Sequence, residues 1–386
     1  MHHYLTMPKK GIIIGGGIAG LTAAIALQQA GIAVLVYESA PQILPLGAGI
    51  WMAPNAMQVF DRLGIAGRVK AGGVPLTNIQ VADRKLRPIM RTNQENIRAR
   101  FGYTTTAIRR SALQQILIDE VQPGTIILNK TCTGVKETEN AVEVLFSDGT
   151  AVQAGFVIAA DGIHSRIREE LFPGIVLSEK GYAVWRGISQ IQLRPEFKKA
   201  IIEVWHGGLR FGFSEVADGV VDWFAVERNG TSENHMGDIK AGLQRTFGSF
   251  LYPVPDILNV APGLNFIKNT LTDFDPLPAW SKGKVCLIGD AAHASTPYMG
   301  QGGCQAVEDA WVIAHCLKTE QSAEKAFAAF QKIRHARAVK IVRTSRIMGK
   351  VGYLKGGAGM LRNFIIRATP QLLIERQFVG VYSLNY

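Results

Sequence analysis

The pattern Gly15-x-Gly17-x-x-Gly20 constrains this chain most, because of what flanks it. Before it stands the apolar run Gly11–Ile14, which predicts a short buried strand. After it, Leu21–Ala30 has helical periodicity and stops at Gly31. A second strand is predicted over Ala33–Glu38. In a strand–turn–helix–strand unit the first glycine permits the tight turn. The second lets the backbone approach a pyrophosphate, and the third lets helix and strand pack closely. The N-terminus of that helix offers unpaired N–H groups and the positive end of its dipole to phosphate. Glu38 lies 23 positions beyond Gly15, at the strand end, where an acid accepts a ribose hydroxyl. Dinucleotide binding is therefore expected. A Gly-rich turn with a surface Glu is the plain alternative.

Two further glycine-centred turns follow strand patterns. Asp161-Gly162 comes directly after Val157–Ala160, with Ser165 placed to cap a following helix. Taken alone, this motif reads as a structural turn. Gly289-Asp290 follows the buried pattern Lys284–Ile288, and ligands bind at such strand ends in open α/β sheets. Downstream, Gly300, Gln301, Gly302 and Gly303 open a helix whose N–H groups can hold a developing anion. His293 has no identifiable acid or nucleophile beside it in sequence and reads as packing. Cys304 reads the same way.

The rest of the chain divides by pattern. Residues 47–64 read as a loop entering a helix. Ala112–Val121 reads as a helix with Ser111 as its N-cap. Between Ile126 and Ile158 the pattern shifts to short alternating strands, with a turn at Ser147–Gly149. Residues 180–272 read as a second, mainly antiparallel layer. A long helical tract runs from Gly302 to about Met348, followed by a looser helical tail. The expected fold is α/β: a Rossmann-like domain interleaved with a mainly antiparallel β-sheet domain, plus C-terminal helices. The expected boundaries are 8–74, 100–178 and 276–348 for the first, 75–99 and 179–275 for the second, and 349–386 for the tail.

Composition excludes several classes. Of 386 residues, 47% are hydrophobic and 19% charged, which is globular and not disordered. Four cysteines without a C-x-x-C pair make no disulfide framework and suit a reducing compartment. Lys9 and Lys10 before the apolar stretch to Leu27 mimic a secretion leader, but Gly15–Gly17 interrupt it and no cleavage pattern follows; a cytoplasmic location is expected. The net charge of +11 gathers late, and no nucleic-acid signature accompanies it. The tail, with Tyr353, Leu354, Met360, Leu361 and Phe364, is one place where membrane contact is conceivable; packing on its own chain or in a homodimer is the favoured reading.

In this order and spacing, the three motifs resemble the group A flavoprotein monooxygenases, the FAD-dependent aromatic hydroxylases. The resemblance covers about residues 9–350. Trp185–Gly187 and the stretch Gly289–Ala310 look like the branch with salicylate hydroxylases, urate hydroxylases and zeaxanthin epoxidases. It implies that Gly15, Gly17, Ile18, Ala19, Gly20 and Glu38 bind the ADP part of FAD. Asp161 belongs to a motif associated with FAD and the nicotinamide cofactor, and Asp290 binds the ribityl chain. Arg110, in Ile108-x-Arg110-x-x-Leu113, contacts FAD. Gly300–Gly303 and Pro297 border the flavin. Ala112 departs from the family, which frequently has an acid there.

The resemblance further implies NADPH or NADH as a transient co-substrate, O2, and a small electron-rich substrate that is hydroxylated or epoxidised through a flavin C4a-hydroperoxide. The cofactor carries that chemistry, and the protein supplies position and a dry pocket. Pocket candidates in the second layer are Tyr182, Trp185, Arg186, Trp205, His206, Arg210, Phe211, Phe213, Trp223 and Phe224, of which strand alternation lets only half face a cavity. Arg186 or Arg210 would pair with an acidic substrate, and Tyr182 or His206 would assist its deprotonation. Two rival readings are a geranylgeranyl-reductase-like flavin oxidoreductase and a non-catalytic prenyl-binding escort of similar fold.

Overall fold

The structure, a computed structural model, describes residues 10–43, 48–230, 238–262, 266–384 and 386. Lys9 and Gly47 lie outside them. The central layer is a six-stranded sheet in the order Ser281–Lys282, Val285–Leu287, Phe156–Ala159, Lys10–Ile14, Ala33–Tyr37, Ile126–Ile127. All its pairings are parallel except the edge pairing of Ser281–Lys282. Its middle strands are apolar runs because both faces are covered. One cover is the helix Ile18–Gln29, buried along nearly its whole length against the helices Gly302–Thr319 and Arg110–Glu120. That helix is apolar on every side because no side meets water.

The alternating segment after Ile126 forms a three-stranded meander, Cys132–Glu137, Val142–Phe146 and Ala151–Ala154, before Phe156–Ala159 rejoins the parallel sheet. A small sheet of Gly49–Met52, Thr106–Arg109 and Gly73–Pro75 lies beyond. The loop expected after residue 47 thus contains a strand. Its four residues, Gly49–Met52, are too few to show a period. The helix expected at Ala112 begins at Arg110, with Arg109 as N-cap and no side-chain cap, so Ser111 is inside the helix and does not cap it. Ser165 does cap the helix Arg166–Leu171, accepting the Arg168 N–H at 2.9 Å.

The second layer is a seven-stranded sheet in the order Ile267–Asp273, Ser178–Gln190, Val220–Arg228, Leu209–Ala217, Ala200–His206, Asn78–Asp83, Pro88–Asn93. Every pairing is antiparallel except Asn78–Asp83 with Ala200–His206. The helices Ile239–Phe247 and Val254–Val260 cover its back. The front faces the small sheet, where Trp51 Nε1 donates to Ser214 Oγ at 2.9 Å and the Gly49 N–H to Asp222 Oδ1 at 2.6 Å. Helices Ala323–Gly352, Gly356–Ala368 and Gln371–Tyr382 complete the chain.

Candidate active site

The three glycine turns meet at the carboxyl ends of the parallel strands, at distances only glycine allows. Gly15 has φ +103°, and a Cβ there would stand 2.5 Å from the Ala160 carbonyl oxygen and 3.2 Å from the Asp161 Cα. The first turn therefore rests on the second. A Cβ at Gly289 would lie 3.1 Å from that of Ala19 and 3.2 Å from that of Ala306, so the third turn rests on the helix that leaves the first. At Gly20 a Cβ would come within 1.9 Å of the Gly15 oxygen, the close helix–strand packing expected of the third glycine. Gly17 differs: nothing lies within 4 Å of its Cβ position, which leaves that side of the turn open to a ligand.

Glu38 is already engaged with the turn. Its Oε2 accepts the Gly16 N–H at 2.6 Å and its Oε1 the Ala40 N–H at 2.9 Å. Asp161 keeps one buried oxygen, Oδ1, without a hydrogen bond. Burial raises its pKa despite help from Ser165 and Ile167. The Asp290 carboxyl is open to solvent, yet surrounding protein raises its pKa against the pull of His293 and Arg110. Its Oδ1 is 3.8 Å from a Cβ built at Gly302, which joins it to the Gly300–Gly303 turn. Arg110 lies near enough to influence both Asp290 and Arg186. An open backbone turn, an orphaned buried carboxylate oxygen and an exposed acid at the third turn form a donor and acceptor set that fits FAD.

Sequence reasoning missed what holds these turns. His293 does have an acid partner: its Nε2 lies 2.5 Å from Asp309 Oδ2, which also accepts the Gly289 N–H at 2.9 Å. Asp309 Oδ1 accepts Arg334 Nε at 2.9 Å, and Glu308 takes Arg334 and Arg337. Burial would raise both carboxyl pKa values, but His293 and Arg334 beside Asp309, and Arg334 and Arg337 beside Glu308, hold them below the usual range. Asn55 donates to Gln301 Oε1 at 2.9 Å, so the Gln301 side chain secures the helix start and only its backbone is free for a ligand. The partners stand 25 to 29 residues apart on two helices, and no local motif links them. Cys304 is buried with its thiol pushed up to about 12, which suits packing.

Strand alternation sorts the pocket candidates. Trp185, Phe211, Phe213 and Trp223 point to the back, into the core under the two covering helices. They are core residues and not pocket lining. His206 is exposed, follows the same parity as Ile202 and Val204, and sets its ring against Phe250. The structure does not bring it to the others. Tyr182, Arg186, Trp205, Arg210 and Phe224 share the front parity.

Arg210 is the centre of that front group. It is ion-paired with Glu203 and lies 4.6 Å over the Tyr298 ring, 5.2 Å over Trp205 and 5.5 Å over Tyr353. Tyr298 follows Pro297 directly, and its hydroxyl is 2.9 Å from that of Tyr353, whose ring stacks on Tyr182 at 3.6 Å. Tyr353 is thus buried in the site and is not free for lipid. Nη1 of Arg210 is buried and has no hydrogen-bond partner. Trp51, 3.4 Å from a Cβ built at Gly300 and tilted on Phe224, connects this group to the Gly300–Gly303 turn. Arg186 sits beside Asp222, a buried acid whose pKa burial pushes up to about 6 against the Gly49 N–H and Arg186.

Comparison with known proteins agrees with this geometry. The chain matches the family described as FAD binding domain over residues 10–345. It is 33% identical to an aurachin C monooxygenase/isomerase of Stigmatella aurantiaca, covering 88% of this chain and 89% of that one. It is 32% identical to a 3-amino-4-hydroxybenzoate 2-monooxygenase of Streptomyces platensis, covering 92% of each. Klebsiella pneumoniae HpxO complexed with FAD and uric acid superposes with a TM-score of 0.90 at 25% identity, covering 99% of this chain and 98% of that one. These relatives are monooxygenases and lend no support to the reductase or escort readings. No helix among the described residues is long and apolar enough to cross a membrane. With its three turns packed against one another and its match to the FAD binding domain family over most of its length, the chain belongs to the FAD-dependent aromatic hydroxylases, the group A flavoprotein monooxygenases.

Proposed function

We propose that this monooxygenase uses NAD(P)H and O2 to hydroxylate a small, electron-rich aromatic ring that carries an anionic or carbonyl oxygen, and that Arg210 binds that oxygen. The observation that carries the reading is the buried Arg210 Nη1 with no partner, ringed by Tyr298, Tyr353 and Trp205. A buried donor left unpaired costs about 1–3 kcal/mol, and a ligand oxygen would recover it. The Tyr182–Tyr353 stack offers a flat wall for a planar ring. Relatives named for aurachin C, 3-amino-4-hydroxybenzoate, 6-hydroxynicotinate, 3-hydroxybenzoate and urate all act on rings with oxygen substituents.

When bound, FAD would relay the two electrons of NAD(P)H to O2 and so supply the activated oxygen. In this reading the chain's own residues do the rest. Gly15, Gly17, Ile18, Ala19 and Gly20 hold the pyrophosphate, Glu38 the ribose, Asp290 the ribityl hydroxyls, and Arg110 and Asp161 the slot between them. Backbone N–H groups from Gly300 to Gly303 meet negative charge on the flavin ring. Pro297 fixes the backbone that presents Tyr298. Arg186 orders the front face through Asp222. The apolar and aromatic front face keeps water from the reacting ring.

The test is a panel of hydroxybenzoates, oxo-heteroaromatics and neutral aromatics, scored by stimulated NADPH or NADH oxidation and by mass for oxygen taken from labelled O2. Oxygen-bearing anionic rings are expected to stimulate and to be labelled, with KM raised at least about tenfold in Arg210→Gln. Labelled products only from neutral rings, or an unchanged KM in that variant, would overturn the role of Arg210.

A further inference from the structure

The net charge of this chain is not spread over it. Of 42 Lys and Arg and 31 Asp and Glu, residues 325–386 hold 12 and 1, so the preceding 324 residues have 30 of each and are neutral. Part of that surplus is spent internally: Arg334 and Arg337 on Glu308, Arg346 on Asp273, Arg367 on Asp83. Lys340, Arg343, Lys350, Lys355 and Arg376 are exposed and have no ion pair among the described residues.

The same segment carries most of the exposed apolar surface. Of twelve large hydrophobic side chains exposed among the described residues, eight fall between Ile347 and Leu373. On helix Gly356–Ala368 they are Met360, Leu361, Phe364 and Ile365, which at spacings of one, four and five form one face, with Met360 and Phe364 each 70% exposed. Leu372 and Leu373 follow at the start of the next helix. The opposite side of Gly356–Ala368 is fixed to the protein. Gly359 and Arg362 are buried there, with the Arg362 guanidinium 4.9 Å over Trp205 and its Nη1 donating to the Gly352 carbonyl at 2.9 Å. The helix is thus held on one side and apolar on the other, a large hydrophobic exposure for a monomeric surface.

We propose that this face seats the enzyme on an anionic lipid bilayer, with Met360, Leu361, Phe364 and Ile365 entering the interface and the unpaired Lys and Arg meeting phosphate headgroups. Charge decides between occupants. A second copy docked through the same face would bring two like surpluses together, because a two-fold contact apposes the same patch. An anionic surface neutralises them instead. An exposed apolar helix face in a segment rich in cations and nearly devoid of acids is the composition of an in-plane amphipathic anchor. No spanning helix is needed, and none is present among the described residues.

The test is co-sedimentation of the FAD-loaded enzyme with phosphatidylcholine vesicles and with mixed phosphatidylcholine–phosphatidylglycerol vesicles, at low and high salt. Binding to the anionic vesicles alone, weakened by salt, is expected. It should fall at least about tenfold in the double variant Phe364→Glu, Ile365→Glu, and also in Lys350→Glu, Lys355→Glu, with FAD content and circular dichroism unchanged. Absence of vesicle binding, equal binding to neutral vesicles, or binding untouched by both variants overturns the proposal. So does a dimer in sedimentation equilibrium that the Phe364→Glu, Ile365→Glu variant dissociates while vesicles bind nothing, which would make the face a contact between copies.

Discussion

Asp309 offers a sharp test of how the Gly289 turn is held. Its carboxylate accepts the Gly289 N–H, His293 Nε2 and Arg334 Nε, and the side chains of Asp309 and Arg334 are fully buried. Asp309→Asn keeps the shape and one acceptor but removes the charge. Arg334 must then share Glu308 with Arg337, two guanidiniums on one carboxylate. Breaking a buried pair on one side costs about 3–5 kcal/mol, out of roughly 5–15 kcal/mol for a whole fold. For 386 residues the unfolding entropy near the midpoint is about 0.8 kcal/mol per kelvin, so Tm should fall by about 4–6 °C. Urea unfolding followed by circular dichroism and by flavin fluorescence measures the loss. Flavin release should come at lower urea than in the parent, because the turn that carries Asp290 loses its anchor. Adding Arg334→Met removes the uncompensated cation and should recover part of the stability. A single variant within about 1 kcal/mol of the parent would show that the pair does not hold the turn.

Gly20→Ala would put a Cβ 1.9 Å from the Gly15 oxygen, so protein purified with this change should retain little FAD, read by its visible absorbance; a full complement of flavin would refute the packing argument. Asp222 has its pKa raised to about 6, so its neutral form stabilises the fold below about pH 4, and that contribution is lost as pH rises through about 6. Asp222→Asn should flatten the pH dependence of Tm across that window, and an unchanged slope counts against the assignment. Burial raises the thiols of Cys132 and Cys316 to about 11 and that of Cys304 to about 12, and holds that of Cys286 well above its ordinary value. Ellman's reagent at mild alkaline pH should find almost no thiol in native protein and four in urea; prompt reaction of the native form would contradict the burial.

The cofactor side of this molecule was legible because it is written in local patterns. Gly15 and Gly20 each answer a backbone demand that no other residue meets, Gly17 leaves its side of the turn open, and the apolar run before each turn announces a strand buried on both faces. The substrate side was half legible. Alternation warned that only some aromatics face the cavity, but not which ones, because parity is set by the pairing of Trp205 with Arg210 and of Phe224 with Arg186, which sequence does not display. Trp223 and Trp205 look alike in sequence and lie on opposite faces. Tyr353 was harder still: it reaches Tyr182 and Tyr298 from a helix end 171 and 55 residues away. The partner of His293 was invisible for the same reason, since Asp309 joins it only when two helices fold back.

The chain passes into the seven-stranded sheet and back twice, leaving the small sheet after Pro75 and returning to it at Thr106, then leaving again by Ser178 and returning to the parallel sheet at Ser281. The first return strand leads straight into Arg110, and the second leads into Gly289 and Asp290. Any lengthening of a strand in the antiparallel sheet therefore pulls on a segment proposed above to hold the cofactor. Descendants of this protein that acquire new substrates should do so by exchanging side chains at every other position of Tyr182–Arg228, leaving the count of residues between crossings untouched.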